Sequence, residues 1–160
     1  MKKNPIESKY CRVINTISIL LLIGSLLFVI VYWLRIPDQI PSHYDEFGNI
    51  TSWSGKLTIF VLLFLYILVY SIISFVGRYP DIWNTAVKVT ARNKNFVYLT
   101  LARMIATTKL LMVCIFTYLI VNMALARELS PLFTLISLGS IFGGTLFFIL
   151  WLVIGNRRLN

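Results

Sequence analysis

The sequence IPDQIPSHYDEFGNITSWSGK, residues 36–56, is the one long polar interruption between two apolar runs that can each span a membrane. Pro37 and Pro41 fix the backbone φ and push the residue before each of them towards extended geometry, so the segment should begin in an extended conformation. Gly48 and Asn49 both tolerate a positive φ, and we expect a tight turn there. The segment therefore predicts a structured loop between two helices rather than a plain tether.

The composition is that of a small integral membrane protein. Of the 160 residues, 58% are hydrophobic and 13% are charged, whereas about a quarter of the residues of soluble domains are charged. Four uncharged apolar runs, residues 14–34, 57–76, 110–126 and 132–154, are long enough to cross a hydrocarbon layer of about 30 Å. We predict an all-α integral membrane protein with four transmembrane helices in one membrane domain, 1–160, with an outer loop at 35–56 and a cytoplasmic region at 77–109.

The third helix is expected to begin well before its apolar run. Thr90 is a candidate N-cap, and residues 91–126 contain no proline or glycine. Five residues, four of them apolar, recur at helical spacing and predict a face packed on a neighbour: Val97, Leu101, Met104, Ile105 and Thr108. Three polar residues should turn to water or lipid phosphate instead: Arg92, Asn95 and Arg103.

The basic residues predict the orientation in the membrane. Twelve of the fifteen Lys and Arg residues fall in the two terminal segments or in residues 78–109, and only Arg35, Lys56 and Arg127 fall on the other side. An excess of Lys and Arg marks the cytoplasmic side. We therefore expect both termini in the cytoplasm and the loop outside. Binding to anionic membrane lipids accounts for the net charge of +9 without a nucleic-acid partner.

The spacing of particular residues in the loop resembles a known family. The pattern is P-x-x-I-P-x-H-Y-D-x-x-G-x-x-x-x-W-x-x-K, residues 37–56. It is similar to the bacterial membrane domain of unknown function that forms the front half of SdpI-like immunity proteins, which protect against the sporulation-delaying toxin. Two residues differ from the family. Asp45 stands where the family usually has Asn, and Thr51 stands where it often has Asp.

A second, weaker block of the same family is also matched. Its residues are Pro80, Trp83, Asn84, Asn93 and Tyr98. The resemblance then covers roughly residues 14–126. It implies a protein of the bacterial plasma membrane that protects against a toxin or antimicrobial peptide and holds a cytoplasmic regulator at the membrane.

Two surfaces are therefore candidate binding sites. For the outer loop, the candidate binding residues are Pro41, His43, Tyr44, Asp45, Gly48, Trp53 and Lys56. For docking of a cytoplasmic partner, they are Trp83, Asn84, Arg92, Asn93 and Tyr98.

Three roles are open for His43. It could shape the loop by bonding to backbone or to a carboxylate, which we favour. His43 and Asp45 could bind a metal together with Asp38, Glu46 or Glu128, but one His among carboxylates is a poor set of zinc ligands, and we predict no metal site and no cofactor.

The third role for His43 is in a peptide-facing surface, where aromatic residues supply contact area and acidic residues attract a cationic ligand. The aromatic residues are Tyr44, Phe47 and Trp53, and the acidic ones are Asp38, Asp45 and Glu46. Lys56 is expected to extend to lipid phosphate or, as the alternative, to pair with Asp45.

The four apolar runs contain no Asp, Glu, His, Lys or Arg. Proton-coupled transporters and enzymes with a site in the bilayer depend on such groups. This absence, together with the resemblance to immunity proteins, leads us to predict a non-enzymatic plasma-membrane protein that recognises or protects against a membrane-active peptide through the outer loop. The alternatives are a membrane sensor or accessory subunit that docks a cytoplasmic partner through residues 78–109 and, more distantly, a metal-dependent enzyme of the outer face.

Small and polar residues inside the runs predict helix packing. Thr117, Tyr118 and Asn122 are expected to hydrogen-bond to neighbouring helices. Gly139 and Gly143 form a small-xxx-small pair that lets helix backbones approach closely, and Ser140 with Gly144 forms another. We favour packing within the monomer over a homodimer interface, although an oligomer through Gly139 and Gly143 remains open.

Overall fold

The computed structural model describes residues 8–159 and consists of four long helices and one β-hairpin. The helices are α1 (Lys9–Tyr32), α2 (Ile59–Arg78), α3 (Lys94–Ala124) and α4 (Phe133–Leu159), and the strands are β1 (Gln39–Tyr44) and β2 (Ile50–Gly55). All four helices are long and apolar enough to cross a membrane. The prediction of four helices that are long and apolar enough to span a membrane is therefore confirmed, whereas the description of the fold as all-α omits the hairpin between α1 and α2.

The central helix is α3, which packs against α1, α2 and α4. Val29 of α1, Tyr66 of α2 and Ile120 of α3 are almost completely buried in the main core. The Thr117 hydroxyl lies 3.0 Å from Ser25 Oγ and 3.1 Å from Tyr66 OH, which joins three helices through one side chain. The predicted interhelical role of Thr117 is confirmed, and such bonds replace the hydrophobic driving force that is missing between helices in lipid.

The other two polar residues of this run bond elsewhere. Tyr118 OH accepts a hydrogen bond from the backbone N–H of Ser130 at 3.1 Å, in the connection between α3 and α4. Asn122 Nδ2 donates to the Tyr118 carbonyl at 2.8 Å, within its own helix. The prediction that Tyr118 and Asn122 bond to a neighbouring helix is wrong, because Tyr118 reaches the connection that follows α3 and Asn122 bonds to a carbonyl one turn earlier in its own helix.

The α3 helix begins at Lys94, three residues after the predicted start. Thr90 and Asn93 hold this end reciprocally: Thr90 N–H donates to Asn93 Oδ1 at 2.7 Å, and Asn93 N–H donates to Thr90 Oγ1 at 3.3 Å. The predicted packed face is confirmed, since Val97 and Leu101 are buried with Leu152 of α4. The three residues expected to face water are exposed: Arg92, Asn95 and Arg103.

The α4 helix is the most peripheral, and Leu152 is its one fully buried residue within the described chain. A Cβ added to Gly139 or Gly143 would meet nothing within 4 Å, whereas one on Gly144 would lie 3.7 Å from Leu111 of α3. The prediction that Gly139 and Gly143 pack against another helix within the monomer is therefore wrong. The pair Ser140 and Gly144 faces α3 through Gly144, whereas the pair Gly139 and Gly143 lies on the surface of α4 that faces away from the other helices.

Candidate functional site

The segment between α1 and α2 forms an antiparallel hairpin with an irregular register. Pro41 lies opposite Trp53, His43 opposite Ser52 and Tyr44 opposite Ile50, with a shift on each side of His43. Such a bulge changes the direction of a side chain relative to the regular pleat. The predicted extended start of the segment is confirmed, and a strand with proline inside it is tolerated because β1 is an edge strand.

The turn between the strands is held by Asp45. Its Oδ1 accepts from the backbone N–H groups of Phe47 at 2.9 Å and Asn49 at 2.8 Å, and its Oδ2 accepts from Asn49 Nδ2 at 2.7 Å. The Asn49 side-chain bond, with help from the backbone bonds, lowers the pKa of Asp45. Asp45 is therefore a charged residue whose oxygens already serve the turn.

Gly48 closes that turn with a φ of 85°, as its sequence position predicts, whereas Asn49 stays outside the positive-φ region. The Gly48 carbonyl accepts from Leu129 N–H at 2.9 Å. A Cβ on Gly48 would lie 2.6 Å from the Leu129 carbonyl oxygen. Glycine is thus required both by the backbone angle and by the close approach.

A second bond fastens the hairpin to the same connection between α3 and α4. Tyr44 OH donates to the Arg127 carbonyl at 3.3 Å. Burial, with a contribution from Tyr118, raises the pKa of Tyr44 to about 12, so the phenol keeps its proton. We call the contacts of Tyr44 and Gly48 with Arg127 and Leu129 the latch.

Lys56 closes the base of the hairpin rather than its tip. Its Nζ lies 3.0 Å from Asp38 Oδ1 and 5.4 Å from the centre of the Trp33 ring. The alternative pairing with Asp45 is wrong, because Asp45 is bonded to its own turn. Lys56 and the exposed Trp53 both lie outside the cavity that the tip of the hairpin helps to form.

That cavity, which we call the outer groove after the predicted orientation, has a volume of about 510 Å³ and lies between the hairpin and the ends of three helices. Pro41, His43, Tyr44 and Asp45 line one side of it. The other walls are mainly apolar and include Val61, Leu65, Leu119, Met123, Leu129 and Phe133. The outer groove therefore has the size and the mostly apolar walls of a ligand site, with polar groups on one side.

His43 is exposed at the irregular point of the strand pairing, and its side chain makes no hydrogen bond within the described chain. The predicted bond from His43 to loop backbone or to a carboxylate is therefore not formed, because Asp45 and the strand pairing satisfy those groups without it. Both ring nitrogens remain available at the edge of the outer groove. Of the three roles, the one in a ligand-facing surface fits this placement.

Charges at this end of the bundle are nearly balanced. This end contains four acidic residues, Asp38, Asp45, Glu46 and Glu128, and three basic residues, Arg35, Lys56 and Arg127. Of those acids only Asp38 is in an ion pair among residues 8–159. Glu46 and Glu128 are exposed and are free to attract a cation. Over the same residues, no three His, Cys, Asp or Glu side chains are grouped so that they could hold a metal ion.

The predicted cytoplasmic docking residues divide into two groups. Trp83 is half-buried and donates from Nε1 to the Val76 carbonyl at 2.7 Å, and its ring packs 6.1 Å from that of Tyr98. Asn93 is fully buried and donates to the Lys88 carbonyl at 2.8 Å and to Asn156 Oδ1 at 2.6 Å. These residues hold the segment in place, and only Asn84 and Arg92 are exposed to a partner.

Comparison with known proteins gives one match. A family model described as "Domain of unknown function (DUF1648)" matches residues 20–68, which is under a third of the chain. The matched region runs from the middle of α1 through the hairpin to the middle of α2. No curated protein and no solved structure matches the chain. The predicted domain of unknown function is thus found in part of the expected region, and the connection with immunity proteins stays a prediction.

Proposed function

We propose that this protein is a non-enzymatic, multi-pass protein of a bacterial plasma membrane with both termini in the cytoplasm, and that its outer groove recognises membrane-active peptides and protects the cell against them. The observation that carries the proposal is the outer groove itself: an apolar cavity, roofed by an exposed His43, at the end of the helices that carries few basic residues.

The groove suits an amphipathic cationic peptide. Apolar anchor side chains of such a peptide would pack against Val61, Leu65 and Phe133, as amphipathic helices do in hydrophobic grooves. Its cationic side chains would face Glu46 and Glu128, which have no counter-charge among the described residues. Charge of this kind mainly speeds association and selects the partner, while the apolar contacts supply affinity.

The latch supports the proposal because it fixes the roof of the groove before a ligand arrives. Tyr44 and Gly48 tie the hairpin to the connection that also supplies the groove wall Leu129. Asp45 holds the turn between them. A site that is already ordered loses less conformational entropy on binding.

Survival of sensitive cells tests the proposal. Cells that express the protein are challenged with a panel of cationic membrane-active peptides, beside cells with His43→Ala and with Gln39→Ala. Gln39 is an exposed residue of the same strand outside the groove, which makes it the matched control. We expect protection by the parent and by Gln39→Ala and its loss in His43→Ala.

The proposal is refuted if no variant protects although all three are present in the membrane at equal amounts. It is also refuted if His43→Ala protects as well as Gln39→Ala does. In either case the outer groove has no part in immunity.

A second candidate function is a sensor or accessory subunit that docks an acidic cytoplasmic partner. The observation that favours it is the fixed geometry of residues 79–93, where buried Asn93 bonds to α4 and leaves the basic side chains of Lys88 and Arg92 exposed. A partner that binds there would be lost from a pull-down with Arg92→Glu and kept with His43→Ala. The opposite pattern would favour the peptide-recognition function.

A further inference from the structure

A second cavity lies at the other end of the bundle, between α1, α2 and α3. This inner cavity has a volume of about 410 Å³, within the range of about 300–1,000 Å³ that is usual for small-molecule sites. Its polar lining residues are Asn15, Tyr70, Ser74, Arg78 and Lys109. Lys109 is the last residue of the predicted cytoplasmic region, 77–109, but the structure places it in the middle of α3, facing α2.

Lys109 is buried, with 6% of its surface exposed. Its Nζ donates to Ser74 Oγ at 3.3 Å and lies 5.2 Å from the centre of the Tyr70 ring. Neither partner carries a negative charge, and no ion pair to Lys109 is formed within residues 8–159. Buried lysines are almost always paired, so this cation lacks the counter-charge that its burial requires.

A second polar group in the same cavity also lacks a partner. Asn15 Oδ1 is buried and forms no hydrogen bond to any described residue. Rotation of the side-chain amide by 180° exchanges Oδ1 and Nδ2, so the same position can present a donor. Asn15 and Lys109 therefore bring unused hydrogen-bonding capacity to one cavity from two different helices.

The charge of the lining residues selects the ligand. Arg78 is exposed and lies where the cavity reaches the surface, and none of the described residues that line the cavity is acidic. Two cations and several neutral hydrogen-bonding groups, without a carboxylate, match an oxyanion. A guanidinium with an ammonium is a common combination for phosphate.

We propose that the inner cavity binds a phosphate group, with Lys109 as its buried counter-charge and Arg78 at its entrance. The phosphate can belong to an anionic phospholipid headgroup that enters from the bilayer or to free phosphate from the aqueous side. Basic cavities between membrane helices bind anionic headgroups in this way. The proposal does not depend on the function of the outer groove, which lies at the opposite ends of α2 and α3.

Thermal unfolding of the whole, delipidated protein in neutral detergent tests the proposal. One arm adds inorganic phosphate, a second adds phosphatidylglycerol in mixed micelles, and a third adds phosphatidylcholine as the uncharged-headgroup control. The variants are Lys109→Gln, Arg78→Gln and the exposed Lys88→Gln, which lies outside the cavity and serves as the matched control.

We expect a concentration-dependent rise in Tm for the parent and for Lys88→Gln and none for Lys109→Gln. Stabilisation by inorganic phosphate identifies free phosphate as a ligand, and stabilisation by phosphatidylglycerol alone identifies the lipid headgroup. Because removal of a charge-assisted hydrogen bond costs about tenfold or more in affinity, Arg78→Gln should need about ten times more ligand for the same rise.

If Lys109→Gln does not fold, Arg78→Gln tests the proposal instead, because Arg78 is exposed and is not part of the packed core. Equal stabilisation of Arg78→Gln and Lys88→Gln overturns the proposal. The absence of any rise in the parent with either anionic ligand, or an equal rise with phosphatidylcholine, also overturns it.

Discussion

The hairpin end and the inner cavity end of this bundle use polar groups in opposite ways. At the hairpin, the Asp45 carboxylate is satisfied within its own turn, and Tyr44 and Gly48 bond to the connection between α3 and α4. The cavity beside them is mostly apolar. At the inner end, Lys109 and Asn15 keep unused capacity inside a polar, basic cavity. The proposed outer site therefore depends on backbone geometry and shape, whereas the proposed inner site depends on charge.

The largest effect is expected from Gly48→Ala. The new side chain must adopt a left-handed backbone conformation and would approach the Leu129 carbonyl oxygen to 2.6 Å, so the latch opens. Backbone strain of this kind costs about 1–3 kcal/mol. We expect faster proteolysis within the hairpin and loss of peptide protection, with phosphate binding at the inner cavity unchanged.

Gly55→Ala is the matched control for that variant. Gly55 ends β2 with a φ of −62°, and a Cβ there would meet nothing within 4 Å. Limited proteolysis should therefore cut the hairpin of Gly55→Ala no faster than that of the parent. Equal proteolysis of the parent and Gly48→Ala would show that the latch does not hold the hairpin.

A smaller, global effect is expected from Thr117→Val, which lies between the two ends. It removes the hydroxyl that bonds Ser25 and Tyr66 across three helices. Interhelical bonds of this kind contribute about 0.6 kcal/mol on average and about 1.7 at most. Thermal unfolding in detergent should show a lower Tm, and both ends should keep their ligand affinities.

Thr145→Val on α4 is the control, since the Thr145 hydroxyl forms no hydrogen bond among the described side chains. A change in peptide affinity in Thr117→Val, at temperatures where the protein is folded, would show that the two ends are coupled through the core rather than independent.

The local sequence predicts the helices and the turn of the hairpin, but it does not predict the strands or the contacts that hold the hairpin to the bundle. The four helices, the extended start at Pro37 and Pro41 and the turn at Gly48 follow from composition and backbone preference, which act over a few residues. The latch joins Tyr44 to Arg127, and nothing in the local sequence marks such a distant pair. The strands were missed because β1 consists mainly of polar residues and contains a proline, Pro41.

The two cavities were missed for a related reason. The groove walls contributed by α2, α3 and α4, such as Val61 and Met123, are apolar residues within apolar runs, so the sequence gives them no distinguishing mark. Lys109 stands at the edge of such a run, where a lysine usually extends to the surface. Its burial depends on how α2 packs against α3, and a single sequence does not determine which helix faces meet.

The smallest effect is expected from acidification, and it should be confined to the hairpin. The pKa of Asp45 is lowered in the folded protein, chiefly by the Asn49 side chain. Its contribution to stability is therefore complete above the ordinary Asp pKa of about 4 and is lost as the pH falls through the lower folded value. Proteolysis by an acid-stable protease over this pH range should show progressive opening of the hairpin.

Asp45→Asn keeps one oxygen acceptor for the turn but has no titratable group, so it should abolish this pH dependence. Glu46→Gln is the control, because the exposed Glu46 forms no hydrogen bond that the turn requires. The same pH profile in the parent and in Asp45→Asn would mean that another group controls the opening of the hairpin.

Direct peptide binding tests the central claim that the outer groove is a recognition site. A fluorescently labelled cationic amphipathic peptide is titrated with purified parent, Val61→Trp and Ile67→Trp. Both substituted residues are exposed on α2, but only Val61 lines the groove. We predict saturable binding to the parent and to Ile67→Trp, and binding at least about tenfold weaker to Val61→Trp, because the indole fills the space for an apolar anchor. Equal affinity for all three proteins would contradict the account.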